Sequence, residues 1–353
     1  MYLKRSSTVK YFIAAFVGAA LYCEWFVYVI QPQYWQGLGC DGHDAACTKV
    51  LFIADPQIQG DLAVPPPLSY LFNWDSDRYL KATFTVVSKY FQPDILVYMG
   101  DLMDEGSIST IPQFHGYVKR LSSIFNIESP VLQIWLPGDN DIGGENEPVS
   151  REKVAEFDKV FNQPSTITYS NITFYKVNGM TYTFPKNIQG ADENNINIVV
   201  SHYPITTRTV FSMQLIKEIH PNIFFCAHDH ESKYVTQNKD LTHRRTHSYG
   251  YGEAILNISL DEDTLYEVYV PTCSYRMGTS KIGFGAAILD DKNHLLRYTV
   301  FWSPTRFPYL LFYLAVLIFI VWYFILFCAA RLIHRQPNIL KSNSDVQPLL
   351  DRI

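Results

Sequence analysis

Five stretches of the chain share one pattern, in which a short run of apolar residues ends in Asp or His. The runs lack the alternation of a half-exposed strand, which is typical of strands buried on both faces of a parallel sheet. Between the first two runs, "SDRYLKATFTVVSKYFQ" has helical spacing behind an acidic start. This order of strands and helices predicts an α/β fold. The five runs are "KVLFIADPQ", "DILVYMGD", "PVLQIWLPGDND", "INIVVSHYP" and "NIFFCAHDH".

Two longer apolar segments flank this region. Residues 11–30 carry one charge, Glu24, and residues 309–330 carry none. A helix needs about 20 apolar residues to cross a bilayer, so both segments are predicted to be transmembrane helices. For the first segment, a cleaved signal peptide is the alternative, because three basic residues precede it. Its length and the lack of a small-residue cleavage site favour the membrane span.

Basic residues lie outside both spans. They precede the first span and follow the second, so the positive-inside rule places both termini in the cytosol and the middle of the chain in the lumen. The predicted domains are a cytosolic N terminus (1–10), a transmembrane helix (11–30), a lumenal domain (31–306), a second transmembrane helix (307–330) and a cytosolic tail (331–353).

Two further features agree with a lumenal middle region. The sequons at Asn171 and Asn257 are predicted glycosylation sites, although such triplets also arise by chance. Cys40 and Cys47 are predicted to form a disulfide in an oxidising compartment. Two free thiols remain the alternative, because sequence alone does not define connectivity.

Composition excludes one class of partner. The chain has 353 residues, of which 48% are hydrophobic, and a formal net charge of −5. This charge argues against a nucleic-acid partner. The hydrophobic content is sufficient for one large domain or two small ones.

The five strand ends carry residues of the types that bind metals. A single strand-end Asp is more often a turn or helix cap than a ligand, and a single His is usually structural. Five such ends in order are difficult to attribute to turn chemistry, so we predict a metal site. The residues are Asp55 and Gln57, Asp101 and Asp104, Asp139 to Asp141, His202, and His228 with His230.

This order resembles the calcineurin-like metallophosphoesterase superfamily, whose motifs are D-x-H, G-D-x-x-D, G-N-H-D, a lone His and G-H-x-H. The resemblance covers Val50 to Trp302. It implies a sandwich of two mixed β-sheets flanked by helices, here between two transmembrane helices. The segments "GDLMDEG" and "DIGGE" resemble sequences of the membrane branch of this superfamily. That branch contains the post-GPI-attachment ethanolamine-phosphate phosphodiesterase and fungal cell-division-control relatives.

The resemblance implies two divalent metal ions. Mixed carboxylate, amide and imidazole ligands favour manganese, with zinc or iron as alternatives, and the absence of a thiolate cluster argues against a structural zinc site. Asp101 would be shared, because bridging two cations requires an anion with two oxygens. The first ion would be held by Asp55, Gln57, Asp101 and His230, and the second by Asp101, Asp139, His202 and His228.

Three residues depart from the family pattern. Gln57 replaces a His, and Asp139 replaces an Asn. Asn140 replaces the His that stabilises the transition state or protonates the leaving group in the family. General acid catalysis contributes about 10²–10⁴-fold, so this change bears on rate and leaving-group preference. Asn140 and Asp104 are the predicted catalytic residues.

Three charged residues are candidates for substrate binding. Arg244 and Arg245 in "LTHRRTHSYG" match phosphate oxygens in geometry, and Glu145 is suited to a substrate ammonium. A solvated charge run is the alternative for each.

The predicted function is that of a membrane-anchored, metal-dependent phosphodiesterase. The resemblance implies removal of ethanolamine phosphate from the glycan of a GPI anchor, so the predicted partners are GPI-anchored proteins or a lipid-linked phosphodiester. The alternative is a catalytically weak protein that binds metal or GPI-linked cargo and acts as a trafficking receptor.

The C-terminal tail predicts where the protein resides. Asp345, Leu349 and Leu350 in "SDVQPLLDRI" resemble an acidic dileucine signal that coat adaptors bind in the cytosol. A chance match is the alternative for so short a motif. The predicted location is the secretory pathway from the endoplasmic reticulum to the Golgi.

Overall fold

The structure of the chain is a computed structural model that describes residues 2–40, 47–127, 129–186, 195–260, 263–290 and 294–344. The chain divides into two compact units. The first contains Met1–Cys23 and Thr305–Ile353, and the second contains Glu24–Pro304.

In the first unit, the described residues form two long helices. Helix α1 spans Tyr2–Leu21 and helix α8 spans Phe307–Ser344. Phe12 of α1 packs against Tyr323 of α8, with 5.0 Å between the ring centroids. Two apolar windows, Lys10–Val29 and Phe307–Ala330, have the length and hydropathy of a membrane span. These two windows match the two segments that the sequence predicts to cross a membrane.

The first window continues from α1 into the second unit. A π-helical turn at Tyr22–Phe26 and the short helix α2 at Val27–Val29 complete it, and a 3₁₀ turn follows at Gln31–Tyr34. A disulfide joins Cys40 to Cys47, at the start of the first strand.

The second unit contains two mixed β-sheets. The first sheet has the strand order β10-β13-β12-β1-β2-β3, and the second has the order β4-β5-β6-β7-β11-β8-β9. The strands are β1 Cys47–Ile53, β2 Ile95–Tyr98, β3 Leu132–Trp135, β4 Thr166–Tyr169, β5 Ile172–Val177, β6 Ile196–Ser201, β7 Ile223–Cys226, β8 Lys233–Asn238, β9 Arg245–Ser248, β10 Leu256–Ser259, β11 Thr264–Tyr269, β12 Gly283–Asp290 and β13 Leu295–Trp302.

Helices and short turns connect the strands. Ser150 caps α6, because its side chain accepts a hydrogen bond from the Lys153 backbone N–H, and Thr110 forms a capping box with Gln113 at the start of α4. The helices are α3 Leu68–Phe91, α4 Ile111–Ile124, α5 Asp139–Ile142, α6 Arg151–Val160 and α7 Thr209–Ile219, with a 3₁₀ turn at Tyr275–Met277.

The main hydrophobic core lies between the two sheets. Its residues come from both sheets, and Phe52 of β1 stacks on Phe225 of β7 with 4.2 Å between ring centroids. Burying a Phe side chain contributes about 1.5–3 kcal/mol relative to exposure, so this layer is a major source of stability. The predicted α/β fold with two mixed sheets is therefore confirmed.

The parallel strands determine where the polar strand ends meet. Strands β1, β2 and β3 are parallel in one sheet, and β5, β6 and β7 are parallel in the other. Parallel strands bring their carboxyl ends to one edge of a sheet, where α/β proteins place their sites. The five polar strand ends follow β1, β2, β3, β6 and β7.

Candidate metal centre

The turn after β3 brings two strand-end loops into close contact. A Cβ atom at Gly138 would lie 2.1 Å from the backbone nitrogen and the Oδ1 atom of Asp101. Only glycine tolerates such an approach. The Gly in "PGDND" therefore allows the loop after β3 to contact the loop after β2, and Asp139 follows it directly.

Five residues at the strand ends have left-handed backbone conformations. For residues other than glycine, this region costs about 1–3 kcal/mol each and persists where the surrounding fold enforces it. Such strain concentrates at functional sites. The residues and their φ angles are Asp55 (47°), Gln57 (44°), Asp101 (49°), His228 (70°) and His230 (56°).

Two groups of possible ligands lie side by side. The first contains Asp139, His202 and His228, and the second contains Asp55, Asp101 and His230, with the ligand atoms of each group within 4.8 Å of one another. In the first group, Asp139 Oδ1 lies 3.0 Å from His202 Nε2 and 3.2 Å from His228 Nδ1.

Asp101 connects the two groups. Its Oδ1 atom lies 3.4 Å from His202 Nε2, although the carboxylate belongs to the second group. Gln57 Nε2 donates to Asp101 Oδ2 at 3.0 Å and lies 3.3 Å from His230 Nε2. A rotation of this amide would exchange its nitrogen and oxygen, so the oxygen can face the same space.

His202 is held in a defined orientation. Its Nδ1–H donates to the Met99 carbonyl oxygen at 2.9 Å, and its side chain is fully buried. A backbone partner on one ring nitrogen orients the other nitrogen as a ligand, as is common for metal-binding histidines. Nε2 then faces Asp139.

Electrostatics show that negative charge is crowded at this site. Burial raises the pKa of Asp55 and of Asp101, and nearby carboxylates add to the rise. Burial would also raise the pKa of Asp139, but hydrogen bonds from His202 and His228 outweigh it and hold that pKa below its usual range. The cluster therefore favours a positive partner.

The pKa values of His202 and His230 shift in opposite directions. Burial alone would lower the pKa of His202, but the three surrounding carboxylates raise it to about 10. Burial lowers the pKa of His230, and the two neighbouring histidines lower it further. The same cluster thus shifts the pKa values of His202 and His230 in opposite directions, and binding of a cation at His202 Nε2 would require loss of its proton.

The residues of the site fit divalent cations. Both carboxylate oxygens of Asp55 are buried and accept no hydrogen bond of normal geometry from the described residues, and the imidazole nitrogens of His202 and His230 lie 3.7 and 3.9 Å from its Oδ1. Burying an ionised carboxylate without partners costs several kcal/mol, and coordination of a metal removes that cost. Carboxylate oxygens and imidazole nitrogens without thiolates suit manganese, iron or zinc.

The two predicted catalytic residues contact the edge of the site. Asn140 donates through its backbone N–H to Asp101 Oδ1 at 3.0 Å, and through its Nδ2 to Asp101 Oδ2 at 2.8 Å. Asp104 Oδ2 accepts from Arg276 Nη2 at 2.7 Å, and Arg276 Nη1 donates to the Gln57 carbonyl oxygen at 2.9 Å. Asn140 thus orients the connecting carboxylate, and Asp104 holds an arginine beside a possible ligand.

The sequence did not predict the supporting roles that Arg276 and Asp141 have in the structure. Asp141 accepts from the backbone N–H groups of Leu102, Met103 and Gly138 at 2.8–3.1 Å. Burial raises the pKa of Asp141 to about 7. Its carboxylate ties two loops together and belongs to neither ligand group, although the sequence grouped it with Asp139.

The three predicted substrate-binding residues lie outside both ligand groups. Arg244 forms an ion pair with the buried Glu267 at 3.6 Å and donates to the Tyr269 hydroxyl at 3.3 Å. Arg245 and Glu145 are exposed. The contacts of Arg244 are those of a structural residue, whereas a substrate role for the other two remains a prediction.

The remaining predicted residues vary in their surroundings. Asn257 is exposed on β10, at the edge of its sheet, and Asn171 is half-buried in the turn between β4 and β5. The predicted sorting residues lie outside the described residues; they are Asp345, Leu349 and Leu350.

A family comparison identifies the class of the protein. The model of the calcineurin-like phosphoesterase family matches residues 48–232, so the chain belongs to this family. This match confirms the superfamily that the sequence motifs indicate. Members are generally metal-dependent phosphoester hydrolases, and the two ligand groups agree with that class.

Several proteins named metallophosphoesterase 1 are similar to part of this chain. "Metallophosphoesterase 1" of Pongo abelii is 27% identical over 186 residues, which cover 50% of this chain and 45% of the relative. The Drosophila melanogaster homologue is 26% identical over 180 residues, which cover 49% and 47%. The chain thus spans about half the length of the curated relatives it matches.

Solved structures also match. A metallophosphoesterase from Sphaerobacter thermophilus aligns with a TM-score of 0.36 and 13% identity, covering 72% of this chain and 87% of that chain. "GAP50 the anchor in the inner membrane complex of Plasmodium" aligns with a TM-score of 0.40 and 12% identity, covering 72% and 85%.

Proposed function

We propose that this chain is a membrane-anchored phosphodiesterase that uses two divalent metal ions. One observation carries the proposal. Buried carboxylates and imidazoles form two adjacent groups connected by Asp101, and the buried carboxylate of Asp55 accepts no hydrogen bond of normal geometry from the described residues. A pair of metal ions bound there would orient a phosphate group and supply a nucleophile at neutral pH.

The chain's own residues define an open side and a closed side of this site. Asp55, Asp101, Asp139 and His202 are buried and form the closed side. The side chains of His228 and His230 are 24% and 27% exposed, so a phosphodiester would approach past them. Its phosphate would meet the ligand groups at the half-buried end of the cluster.

Asn140 and Asp104 would act from the edge of the cluster. The two hydrogen bonds from Asn140 restrain Asp101 in the position that a shared ligand requires. The ion pair between Asp104 and Arg276 restrains the Gln57 backbone. Neither residue supplies the imidazole that the family pattern has at the position of Asn140, so the leaving group would depend on another proton donor or on its own acidity.

The membrane setting supports a choice of substrate. We propose that both apolar windows cross a membrane, with the termini in the cytosol and the site in the lumen of the secretory pathway between the endoplasmic reticulum and the Golgi. A phosphodiester near the lumenal leaflet is then accessible. The motif resemblance favours ethanolamine phosphate on the glycan of a GPI anchor, manganese as the metal, and coat adaptors as partners of the tail.

A binding protein is the second candidate. It is favoured by Asn140, whose amide donates to Asp101 where an imidazole would act in the family pattern. A site of this kind would retain metal and substrate affinity with little turnover, as in a trafficking receptor for GPI-linked cargo.

Hydrolysis by the detergent-solubilised full chain distinguishes the two functions. The chain is stripped with a chelator and then supplied with Mn²⁺, Zn²⁺ or Fe²⁺, and we expect turnover of bis(4-nitrophenyl) phosphate in preference to 4-nitrophenyl phosphate. His228→Ala should lower kcat/KM by at least about 10–100-fold, the range for changes around metal ligands. His247→Ala is the matched control, because His247 stacks on Tyr234 outside both groups. Bound metal without turnover of any diester would support the binding protein instead.

A further inference from the structure

Residues 62–74 form an exposed apolar segment in the second unit. No charged residue occurs between Asp61 and Asp75 in "LAVPPPLSYLFNW". Water-soluble surfaces rarely expose so many large apolar side chains together, so such a segment marks a contact with another apolar phase. The exposed side chains are Leu62 (52%), Leu68 (58%), Tyr70 (66%), Leu71 (58%), Phe72 (45%) and Trp74 (59%).

The start of the apolar segment is fixed to the candidate metal centre. The backbone N–H groups of Leu62 and Ala63 donate to the carboxylate of Glu105 at 3.1 and 2.7 Å. Glu105 is buried and directly follows Asp104. A Cβ atom at Gly60 would clash with the Glu105 carboxylate, so a larger residue there would displace the side chain that accepts from Leu62 and Ala63. The segment therefore keeps a fixed place relative to the strand ends after β1 and β2.

A second brace connects this loop to α3. Arg120 Nη1 donates to the Gln59 carbonyl oxygen at 2.6 Å, and the same guanidinium pairs with Asp77 through two bonds of 2.8 Å. A bidentate pair of this kind restrains direction as well as distance. The loop and the start of α3 consequently behave as one supported element.

Contacts within the second unit show which way α3 points. Glu24 forms an ion pair with Arg78, and Tyr28 contacts the ring of Tyr79 with 6.0 Å between centroids. Trp35, further along the chain, contacts Tyr90 at 5.1 Å. Partners on α3 thus advance from 78 to 90 as the chain advances from 24 to 35, so the two segments run in the same direction.

This direction carries the start of α3 back towards the first apolar window. Glu24 lies within Lys10–Val29, near its end. The end of this window borders the interfacial layer, which is about 5–7 Å thick on each side of the hydrocarbon. The residues that precede Arg78 on α3 therefore lie on the membrane side of the Glu24 contact.

We propose that residues 62–74 lie in the interfacial layer of the lumenal leaflet and hold the candidate metal centre against the membrane. The aromatic residues Tyr70, Phe72 and Trp74 suit this layer, where Trp and Tyr are enriched. Arg78 lies over the Trp74 ring at 4.9 Å, which places a cation at the polar border of the segment. The contact rests on the membrane anchoring proposed above, and its effect on turnover rests on the proposed hydrolysis.

A depth measurement on the full chain tests the contact without reference to activity. Cys328→Ser removes the exposed free thiol, because the other free cysteines are buried. A spin label at Leu71→Cys in lipid nanodiscs should collide more with oxygen and less with a water-soluble nickel chelate than a label at Val210→Cys. Val210 is the matched reference, since it is an apolar residue on α7 that is 77% exposed. Equal access of the nickel chelate to both labels would overturn the proposal.

A functional comparison tests the consequence. Tyr70→Ser with Leu71→Ser should lower turnover of a lipid-embedded phosphodiester by about tenfold or more, because interfacial binding scales with buried apolar area. Turnover of soluble bis(4-nitrophenyl) phosphate should not change. Loss of both activities, or of neither, would overturn the positioning role. If the unsubstituted chain hydrolyses neither diester, the proposed function fails, while the depth measurement still decides the contact. Dipolar coupling between spin labels at position 71 of two chains would show that a second copy of the chain covers this face. That result would also overturn the proposal.

Discussion

At the scale of single residues, Asp101 makes the contacts that connect the two ligand groups of the candidate centre. Its carboxylate accepts from Gln57 and Asn140 and lies 3.4 Å from His202 of the other ligand group. Because it touches both groups, its charge would be available to two cations at once under the proposed two-metal function. His230, by contrast, belongs to one group alone.

Substitution at these two positions should therefore have different effects on metal content. We expect Asp101→Asn to lower the occupancy of both ions together, because an amide lacks the charge needed to bridge two cations. His230→Ala should empty mainly one site. Elemental analysis of the purified chain measures both, with His247→Ala as the control. Two metal ions per chain after Asp101→Asn would show that Asp101 is not shared.

Asn140 gives a prediction about leaving groups. An aryl phosphodiester has a leaving group that needs little protonation, whereas an alkyl diester depends on a proton donor. Asn140→His should raise kcat/KM for the alkyl substrate more than for the aryl one, within the roughly 10²–10⁴-fold range of general acid catalysis. Steady-state kinetics on both diesters provide the comparison. Equal changes for the two substrates would exclude a leaving-group role at this position.

The residues of the two candidate ligand groups could be identified from sequence, whereas the residues that support them could not. Each ligand directly follows an apolar strand, so a local pattern marks it. Arg276 meets Asp104 across a sequence separation of 172 residues, and no local pattern marks such a contact. The ion pair of Arg244 with the buried Glu267 could not be identified from sequence either, because the two residues are far apart along the chain, and the substrate role of Arg244 stays a prediction.

At the scale of elements, the strands were predictable where burial on both faces leaves an unbroken apolar run, as in β1, β2, β6 and β7. The order of the strands in the two sheets was not predictable from sequence, because it depends on pairings between segments that are far apart along the chain. Strand β11 illustrates this, since it inserts between β7 and β8 and brings Glu267 to the loop that follows β6.

Glu267 fixes the loop after His202. It is fully buried and accepts from the backbone N–H groups of Ile205 and Thr206 at 2.7 and 2.9 Å. Glu267→Ala leaves these two backbone donors without an acceptor and removes the ion pair with Arg244, so we expect a loss of stability of about 1–3 kcal/mol or more.

Thermal unfolding of the solubilised chain measures this loss. Glu267→Gln is the matched control, because it retains an acceptor oxygen and should cost less than Glu267→Ala. Arg244→Ala should lower the melting temperature without a selective change in KM. A raised KM at unchanged stability would instead support the substrate role that the sequence predicts for Arg244.

At the scale of the whole molecule, the chain combines a family fold with two apolar windows of membrane-span length. The windows were predictable because length and composition alone define them. Their orientation is a separate matter that depends on flanking charges, and it determines whether the candidate centre faces the lumen.

Glycosylation tests that orientation directly. If residues 31–306 are lumenal, Asn257 should carry a glycan, because its side chain is exposed on the edge strand β10. Asn257→Gln should then abolish most of the gel-mobility shift produced by an endoglycosidase. Asn171→Gln should have a smaller effect, since Asn171 is half-buried in a tight turn. In intact vesicles, an epitope after Ile353 should be digested by added protease while the glycosylated domain survives. A protected epitope would place the candidate centre on the cytosolic side and remove the lumenal substrate from consideration, whereas a glycan on Asn257 would exclude that orientation.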